Sequence, residues 1–364
     1  MRSGRGRVVT DRPARPDELW TAVERLLEGA SPLGALENGL GPLEARRLRE
    51  RGLGVPHALG REERSAAVFA GIARPLLARI RASCEGPLVL LKGPEIAARY
   101  PQGRRAFSDI DLLTPDAAAV QRSLLAAGFD VHERGVESPH HLPPLVLESM
   151  PLKVELHDSL NWPRHGASPP PDELVADGVP SVLGIDGILA PSAAHHAVLM
   201  AAHSWVHQPL RILRDLVDVA AMMDETSRHE IRSVAGAWGV AKLWMTTEST
   251  VDALFYDARA TVPLRTWARH LREVRASTVL ETHLERCLSP FSALPVMTAL
   301  SGTPRVLLEE ISPEKGETWS SKLSRSAVAV RHRSMARRGH DELVNHPHAP
   351  SETGPAPASE QGEA

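Results

Sequence analysis

The sequence predicts an α+β fold, in which a small mixed β-sheet is flanked by N-terminal helices and followed by a helical C-terminal domain. Short apolar runs bounded by glycine and proline begin near Pro87, whereas helical apolar spacing dominates before and well after that point. Hydrophobic residues make up 42% of the 364 residues and aromatic residues only 4%, which suits packed helices around a modest sheet. A chain of this length typically forms two domains of roughly 100 to 200 residues each.

The N-terminal region is predicted to be helical after a polar start. Residues 1–16, rich in glycine, arginine and proline, have little to bury and are predicted to be disordered. Residues 17–85 form a helical segment, because apolar residues recur at helical spacing in 17–29 and again in 61–83. Pro75 lies inside the second stretch, where we expect it to bend or divide the helix.

Residues 86–190 contain the strands and turns that predict the sheet. Apolar runs, period-2 alternation and turn glycines mark its elements. In order, the predicted elements are a strand at 88–91, a turn at Lys92-Gly93-Pro94 with a helix after it, a strand at 109–113, a helix at 116–127, a third strand starting at 129–132, a hairpin of 145–147 with 152–157, and a small strand pair within 182–189.

Residues 191–340 are predicted to form the helical C-terminal domain. Ser192, a favoured N-cap residue, precedes a long stretch of helical apolar spacing that Pro209 interrupts. The tail at 341–364 is Pro-, Ala-, Ser- and Glu-rich and is predicted to be disordered.

Charge and cysteine content narrow the class of protein. The formal net charge of −3 gives no global electrostatic reason to bind nucleic acid. Cys84 and Cys287 lie far apart and lack the pattern of a disulfide framework, which favours a cytoplasmic protein. The N-terminus has no apolar signal region, and no run approaches the length of a membrane span. Neither export nor membrane insertion is indicated, and the oligomeric state is left open.

A basic stretch near the C-terminus carries a local excess of positive charge, although the chain as a whole does not. Its cations are predicted to be a solvated helix end, with an RNA-contacting patch as the alternative, although no aromatic residues interleave there to stack on bases. The stretch contains Arg325, Arg331, Arg333, Arg337 and Arg338.

Three carboxylates predict a metal site. Asp109 and Asp111 stand two residues apart in a strand and therefore point to the same face, where they can share a cation. Glu155 lies on a later strand, on the face opposite Val154 and Leu156. Hard cations such as Mg²⁺, or Mn²⁺, are held by carboxylates together with substrate phosphates. An Asp-x-Asp motif alone is a weak signal, and the ordered set makes it stronger.

Several histidines and charged residues have simpler interpretations. His203 and His207 have metal-ligand spacing on a helix, but Ser204 stands where a zinc protease needs glutamate, so that class is rejected. The pair is predicted to pack against the sheet domain, or alternatively to line the substrate pocket. The adjacent pairs His140-His141 and His195-His196 are interpreted as surface or loop residues. Asp215 and Asp218 are interpreted as a helix-face charge network with Arg211 and Arg214.

The region around the three carboxylates resembles the nucleotidyltransferase superfamily of DNA polymerase beta-like proteins, and most of all its uncharacterised bacterial families. The resemblance rests on Leu91-Lys92-Gly93, on Arg105 shortly before Ser108-Asp109-Ile110-Asp111-Leu112-Leu113, and on Val154-Glu155-Leu156-His157. It extends over roughly residues 60–225. One departure is Pro94, where superfamily members often have a small residue; proline offers no N–H to a phosphate.

The resemblance implies a metal-dependent transfer of an NMP group from an NTP such as ATP to the hydroxyl of an unknown small-molecule, peptide, protein or RNA acceptor. It implies that Asp109, Asp111 and Glu155 are the catalytic and metal-binding residues. It also implies that the nucleotide contacts Lys92, Gly93, Arg105 and Ser108. Two alternatives remain: a non-catalytic nucleotide-sensing or partner-binding module on the same fold, and an Asp-x-Asp glycosyltransferase, which would leave Lys92-Gly93 and Glu155 without a role.

Overall fold

The computed structural model describes residues 16–101, 104–132, 140–163 and 168–300, together with 312, 318–322 and 324, except for the side chains of Pro16, Asp17 and His207. Within these residues the fold is α+β, as the sequence predicts, with a seven-stranded mixed sheet and many helices. Residues 1–15 and 341–364 of the ends predicted to be disordered, and the basic C-terminal stretch, lie outside the described residues, whereas Pro16 begins a helix. None of the described helices is both long and apolar enough to cross a membrane.

The strands form one sheet in the order β3-β4-β5-β2-β1-β7-β6. The pairs β2–β5 and β1–β7 are parallel and the other neighbours are antiparallel. The strands are β1 (Leu88–Leu90), β2 (Asp109–Leu113), β3 (Asp130–Val131), β4 (Leu145–Leu147), β5 (Met150–His157), β6 (Val179–Pro180) and β7 (Ile188–Ala190). The predicted hairpin is thus β4–β5. The final strand pair also forms, but residues 182–187 lie in the connection between its strands.

Helices precede, interrupt and follow the sheet. They are α1 (Pro16–Glu28), α2 (Pro32–Glu37), α3 (Gly41–Glu50), α4 (His57–Ser83), α5 (Pro94–Ala97), α6 (Ala117–Ala126), α7 (Pro171–Ala176), α8 (Ala193–His207), α9 (Leu213–Met223), α10 (Arg228–Ala237), α11 (Ala241–Phe255), α12 (Val262–Arg265), α13 (Arg269–Glu273) and α14 (Val279–Ala293). Ser192 is the N-cap residue of α8. Pro75 does not divide α4, which continues from His57 to Ser83 with the proline inside it.

The two faces of the sheet belong to different hydrophobic cores. On β1, Leu88 and Leu90 join a core with α4 and α6, whereas Val89 joins a core with α8 and α9. On β2, Ile110 and Leu112 likewise face α4, while Leu113 faces the other way. Because side chains alternate along a strand, the aspartates of β2 face the side covered by α8 and α9.

The N-terminal helices divide between these cores. Leu19, Val23 and Leu27 of α1 pack in the core of the C-terminal helices, whereas Leu76 and Ile80 of α4 pack on the sheet. The first helices and the last ones therefore share one core although they are far apart in sequence. The predicted domain boundaries at residues 85 and 190 stay a prediction.

Candidate active site

The site is built on the parallel pair β2–β5. The register places Asp109 opposite Lys153 and Asp111 opposite Glu155, so two carboxylates stand side by side on neighbouring strands. Val154 and Leu156 are buried on the far face, which leaves Glu155 on the same face as Asp111. The alternation that the sequence predicts for these strands therefore brings the three carboxylates to one face of the sheet.

The turn after β1 passes closely over β2. Gly93 has φ +62°, and a Cβ built on it would lie 2.6 Å from the carbonyl oxygen of Asp109. Only glycine tolerates both the left-handed backbone and this approach. The backbone N–H of Leu91 donates to the carbonyl of Asp111 at 2.9 Å, which fixes the turn beside the carboxylates.

Lys92 points from this turn toward the acids. Its Nζ lies 3.2 Å from Oδ1 of Asp111, and its side chain is 22% exposed. Burial disfavours the ammonium, but the charges of Asp111 and Asp109 outweigh it and raise the pKa of Lys92. Lys92 is therefore a charged group held at the site, and not a solvated lysine at the end of a strand.

Asp111 is the most deeply buried carboxylate of the three. Oδ1 also lies 3.0 Å from Nε2 of His157, whereas Oδ2 is buried and has no hydrogen-bond partner among the described residues. Burial opposes its charge, but Lys92 and His157 outweigh burial and hold the pKa of Asp111 well below its usual range. Asp111 is an ionised acid with one unsatisfied oxygen.

The other two acids are less well compensated. Burial, followed by the charge of Asp111, raises the pKa of Asp109. Burial and the charges of Asp111 and Asp109 raise the pKa of Glu155. Carboxylates that repel one another in this way favour a bound cation, which would offset their charges.

Two histidines lie at the site although they are not among the site residues predicted from the sequence. His157 follows Glu155 by two residues on β5, so the rule that paired Asp109 with Asp111 could have found it. Nε2 of His141 lies 3.8 Å from Oε2 of Glu155, and its ring is 5.3 Å from that of His157. His141 lies in the connection between β3 and β4, as its interpretation as a loop residue predicts, and it also forms an isolated bridge with His157 and lines the site.

A cavity of about 190 Å³ opens between these residues and α8. Lys92, Asp111, Glu155, His157 and His203 all line it, so the structure places His203 at the pocket. Apolar and polar residues complete its wall, among them Leu160, Asn161, Leu199 and Met200. His207 is the last residue of α8, and its side chain lies outside the described ones.

Arg105 and Ser108, also predicted to contact nucleotide, lie before β2 in different surroundings. Ser108 is exposed. Arg105 is buried and donates from Nε and Nη2 to both oxygens of Asp218, at 2.8 and 2.7 Å. Tyr100 donates its hydroxyl to the same carboxylate at 2.6 Å. The helix-face interpretation of Asp218 is therefore wrong, since its partners come from the segment between α5 and β2.

The interpretation of the pair His195-His196 as surface or loop residues is also wrong. His196 is fully buried in α8, and its Nε2 donates to the carbonyl of Leu91 at 2.6 Å. Nδ1 of His195 lies 2.7 Å from the hydroxyl oxygen of Ser192.

Two groups of side chains among the described residues have metal-ligand spacing. Asp111, Glu155 and His157 each offer a ligand atom within 4.8 Å of the others, and so do Glu173, Asp177 and His195. The first group fits a divalent cation, because it is anionic, two of its three residues are buried, and it contains the unsatisfied oxygen of Asp111. Asp109 is not part of that group, although its charge acts on Lys92 and Glu155.

Comparison with protein-family models gives a match. A family model described as an uncharacterised nucleotidyltransferase matches residues 35–247, which span the whole sheet and the helices α8–α10 that cover one face of it. No curated protein matches the chain significantly.

Proposed function

We propose, since the chain belongs to this family of uncharacterised nucleotidyltransferases, that it transfers an NMP group from an NTP to a hydroxyl group with the help of a divalent cation. One observation carries the proposal: Asp109, Asp111 and Glu155 share one face of β2–β5 beside the Lys92-Gly93 turn. A buried cluster of acids with a glycine turn next to it suits a triphosphate and its cation.

In the proposed reaction the acceptor oxygen forms a bond to the α-phosphorus of the NTP. The bond from that phosphorus to the bridging oxygen breaks, and pyrophosphate leaves. Glu155 accepts the proton of the hydroxyl, a role that suits a carboxylate whose pKa is raised by burial and by Asp111. The acceptor would reach it through the cavity, which Glu155 lines.

The remaining groups of the site bind and orient. Gly93 allows the backbone to approach the phosphates closely, and the ammonium of Lys92 offers them a positive charge at the wall of the cavity. Asp111, with Asp109 beside it on β2, would hold Mg²⁺ or Mn²⁺, and Glu155 would contribute one carboxylate oxygen to the cation while its other oxygen accepts the proton. When bound, such a cation neutralises charge that develops on the phosphate oxygens.

The test measures pyrophosphate release from each α-labelled NTP, with an extract of small molecules and peptides as the acceptor mixture. We expect Asp109→Asn and Asp111→Asn to reduce release about 100-fold or more, because one cation-binding carboxylate is lost. Asp130→Asn removes an exposed carboxylate on β3 and serves as the matched control, with unchanged release. Mass spectrometry would then identify the acceptor by the mass gain of one nucleotide monophosphate.

Equal release in all three variants would contradict the proposal, and so would the absence of release by the unmodified protein with every NTP. Calorimetry with ATP and Mg²⁺ adds a separate readout. Binding of ATP that the two aspartate variants lose, without any pyrophosphate, would support a nucleotide-sensing module instead.

A further inference from the structure

We propose that His157 is a direct ligand of the cation at this site, and that the site therefore prefers a first-row transition-metal ion such as Mn²⁺ over Mg²⁺. The inference rests on the proposed function in one respect, since it concerns the cation of the same site. It adds an imidazole ligand to a set that the sequence predicts to consist of carboxylates alone.

The position of His157 supports this role. It lies two residues after Glu155 on β5, hence on the same strand face. Its Nε2 is 3.0 Å from Oδ1 of Asp111 and 3.9 Å from Oε2 of Glu155. In an octahedral shell with metal–ligand bonds of roughly 2.1 Å, neighbouring ligands lie about 3.0 Å apart and opposite ligands about 4.2 Å apart. The distance from His157 to Asp111 matches that of neighbouring ligands, and its distance to Glu155 lies between the two values.

The state of Asp111 is an independent observation. Both contacts of its carboxylate, with Lys92 and with His157, use Oδ1. Oδ2 is buried, and no described residue forms a hydrogen bond with it. A buried oxygen without a partner is costly, and a cation beside Glu155 and His157 would satisfy it if Asp111 binds through Oδ2 as well as Oδ1.

The chemistry of the ligands sets the preference among cations. Mg²⁺ is a hard ion that takes oxygen ligands and keeps several waters. An imidazole nitrogen binds first-row transition metals more strongly, in the order of their general affinity for nitrogen and oxygen ligands. Replacing one oxygen by Nε2 of His157 therefore shifts the site away from Mg²⁺.

Pulsed electron paramagnetic resonance of the protein with Mn²⁺ alone tests the ligand directly, because a coordinated imidazole gives a ¹⁴N modulation. We expect this modulation in the unmodified protein and its loss in His157→Gln. His141→Gln is the matched control, since it removes the other imidazole next to Glu155, and the modulation should persist. Incorporation of ¹⁵N-histidine into the unmodified protein should change the modulation frequency, which identifies the nitrogen as that of a histidine, and the two variants then assign it to His157 or His141.

Calorimetric titration with Mn²⁺ and with Mg²⁺, each without nucleotide, tests the preference. We expect Mn²⁺ to bind about tenfold more tightly or better, and His157→Gln to remove most of that difference. Absence of the ¹⁴N modulation from the unmodified protein, or equal affinities for the two ions, would overturn the inference. Since no nucleotide is present, these outcomes are separate from those of the pyrophosphate test. Coordination by His157 without any transfer would refute the proposed function and leave the metal site intact.

Discussion

Replacing Arg105 with methionine should destabilise the fold far more than it weakens nucleotide binding. The sequence predicts a phosphate contact for this residue, but the structure holds its guanidinium against Asp218 by two hydrogen bonds, at 2.8 and 2.7 Å. Tyr100 donates to the same carboxylate. All three residues are buried, so the substitution leaves a buried carboxylate with the tyrosine hydroxyl as its main remaining partner.

The size of the effect follows from this geometry. Hydrogen bonds to charged groups contribute about 1.5–3 kcal/mol each, and removal of one partner of a buried ion pair costs about 3–5 kcal/mol. We expect Arg105→Met to lower the free energy of unfolding by about 3 kcal/mol, the lower end of the range for a buried ion pair, because Tyr100 still donates to Asp218. That is a large fraction of the roughly 5–15 kcal/mol by which domains are stable.

Urea unfolding, monitored by circular dichroism, would measure this loss of stability in a double-mutant cycle of Arg105→Met with Asp218→Leu. The double variant should be more stable than the sum of the single effects predicts, by about 2–3 kcal/mol. Arg104→Met is the matched control: the neighbouring arginine pairs with Glu63 at a site where its side chain is 25% exposed, so we expect a loss of about 1 kcal/mol or less.

Calorimetry with ATP would measure binding by the folded variants. A stability within about 1 kcal/mol of the unmodified protein, combined with a tenfold or greater loss of ATP affinity, would refute this reasoning. Arg105 would then be the phosphate ligand that the sequence predicts.

Three further substitutions test individual groups. Gly93→Ala should destabilise the fold by about 1–3 kcal/mol through backbone strain, and further because the new Cβ would approach the carbonyl oxygen of Asp109. Thermal unfolding should show a larger effect than for the control Gly128→Ala, where φ is also positive but no atom lies within 4 Å of the new Cβ. Burial raises the pKa of Glu62 to about 7, so its contribution to stability is complete below the unfolded-state pKa and is lost as pH rises through about 7. Between pH 5 and pH 8, urea unfolding should show a decline in the free energy of unfolding of up to about 3 kcal/mol that Glu62→Gln lacks. An equal decline in the unmodified protein and in Glu62→Gln would contradict this prediction. Glu155→Gln should slow pyrophosphate release about 100-fold or more, because an amide cannot accept the proton of the hydroxyl, and a rate within about twofold would remove Glu155 from the proton transfer.

The sequence predicts the elements of the site well because their signals are local. Period-2 alternation locates Asp109 and Asp111 on β2 and Glu155 on β5, and a glycine after an apolar run locates the turn at Gly93. The pattern does not give the order of the strands. The neighbouring positions of Asp111 and Glu155 depend on the parallel pairing of β2 with β5, which is a long-range contact.

The partners of Arg105 and His196 could not be predicted for the same reason. Arg105 and Asp218 are separated by 113 positions, and His196 and Leu91 by 105. An arginine next to an aspartate motif has the same local pattern whether it binds phosphate or a buried carboxylate. His157 differs, because its signal was local: the strand rule that selects Glu155 also places His157 on the same face.

These long-range contacts make the C-terminal helices part of the site. Burial, followed by the charge of Arg99, lowers the pKa of His196 to about 3, so its imidazole is neutral and Nε2–H donates to the carbonyl of Leu91. The residue before Lys92 is thereby anchored to α8.

The segment before β2 is anchored in the same way to α9, through Arg105 and Asp218. The turn that carries Lys92 and the strand that carries Asp109 and Asp111 are thus each held by a helix that follows the sheet in the chain. Substitutions in α8 or α9 that break either anchor should displace Lys92 or the aspartates without touching them. The geometry of the carboxylates therefore depends on the C-terminal helices as much as on the sheet.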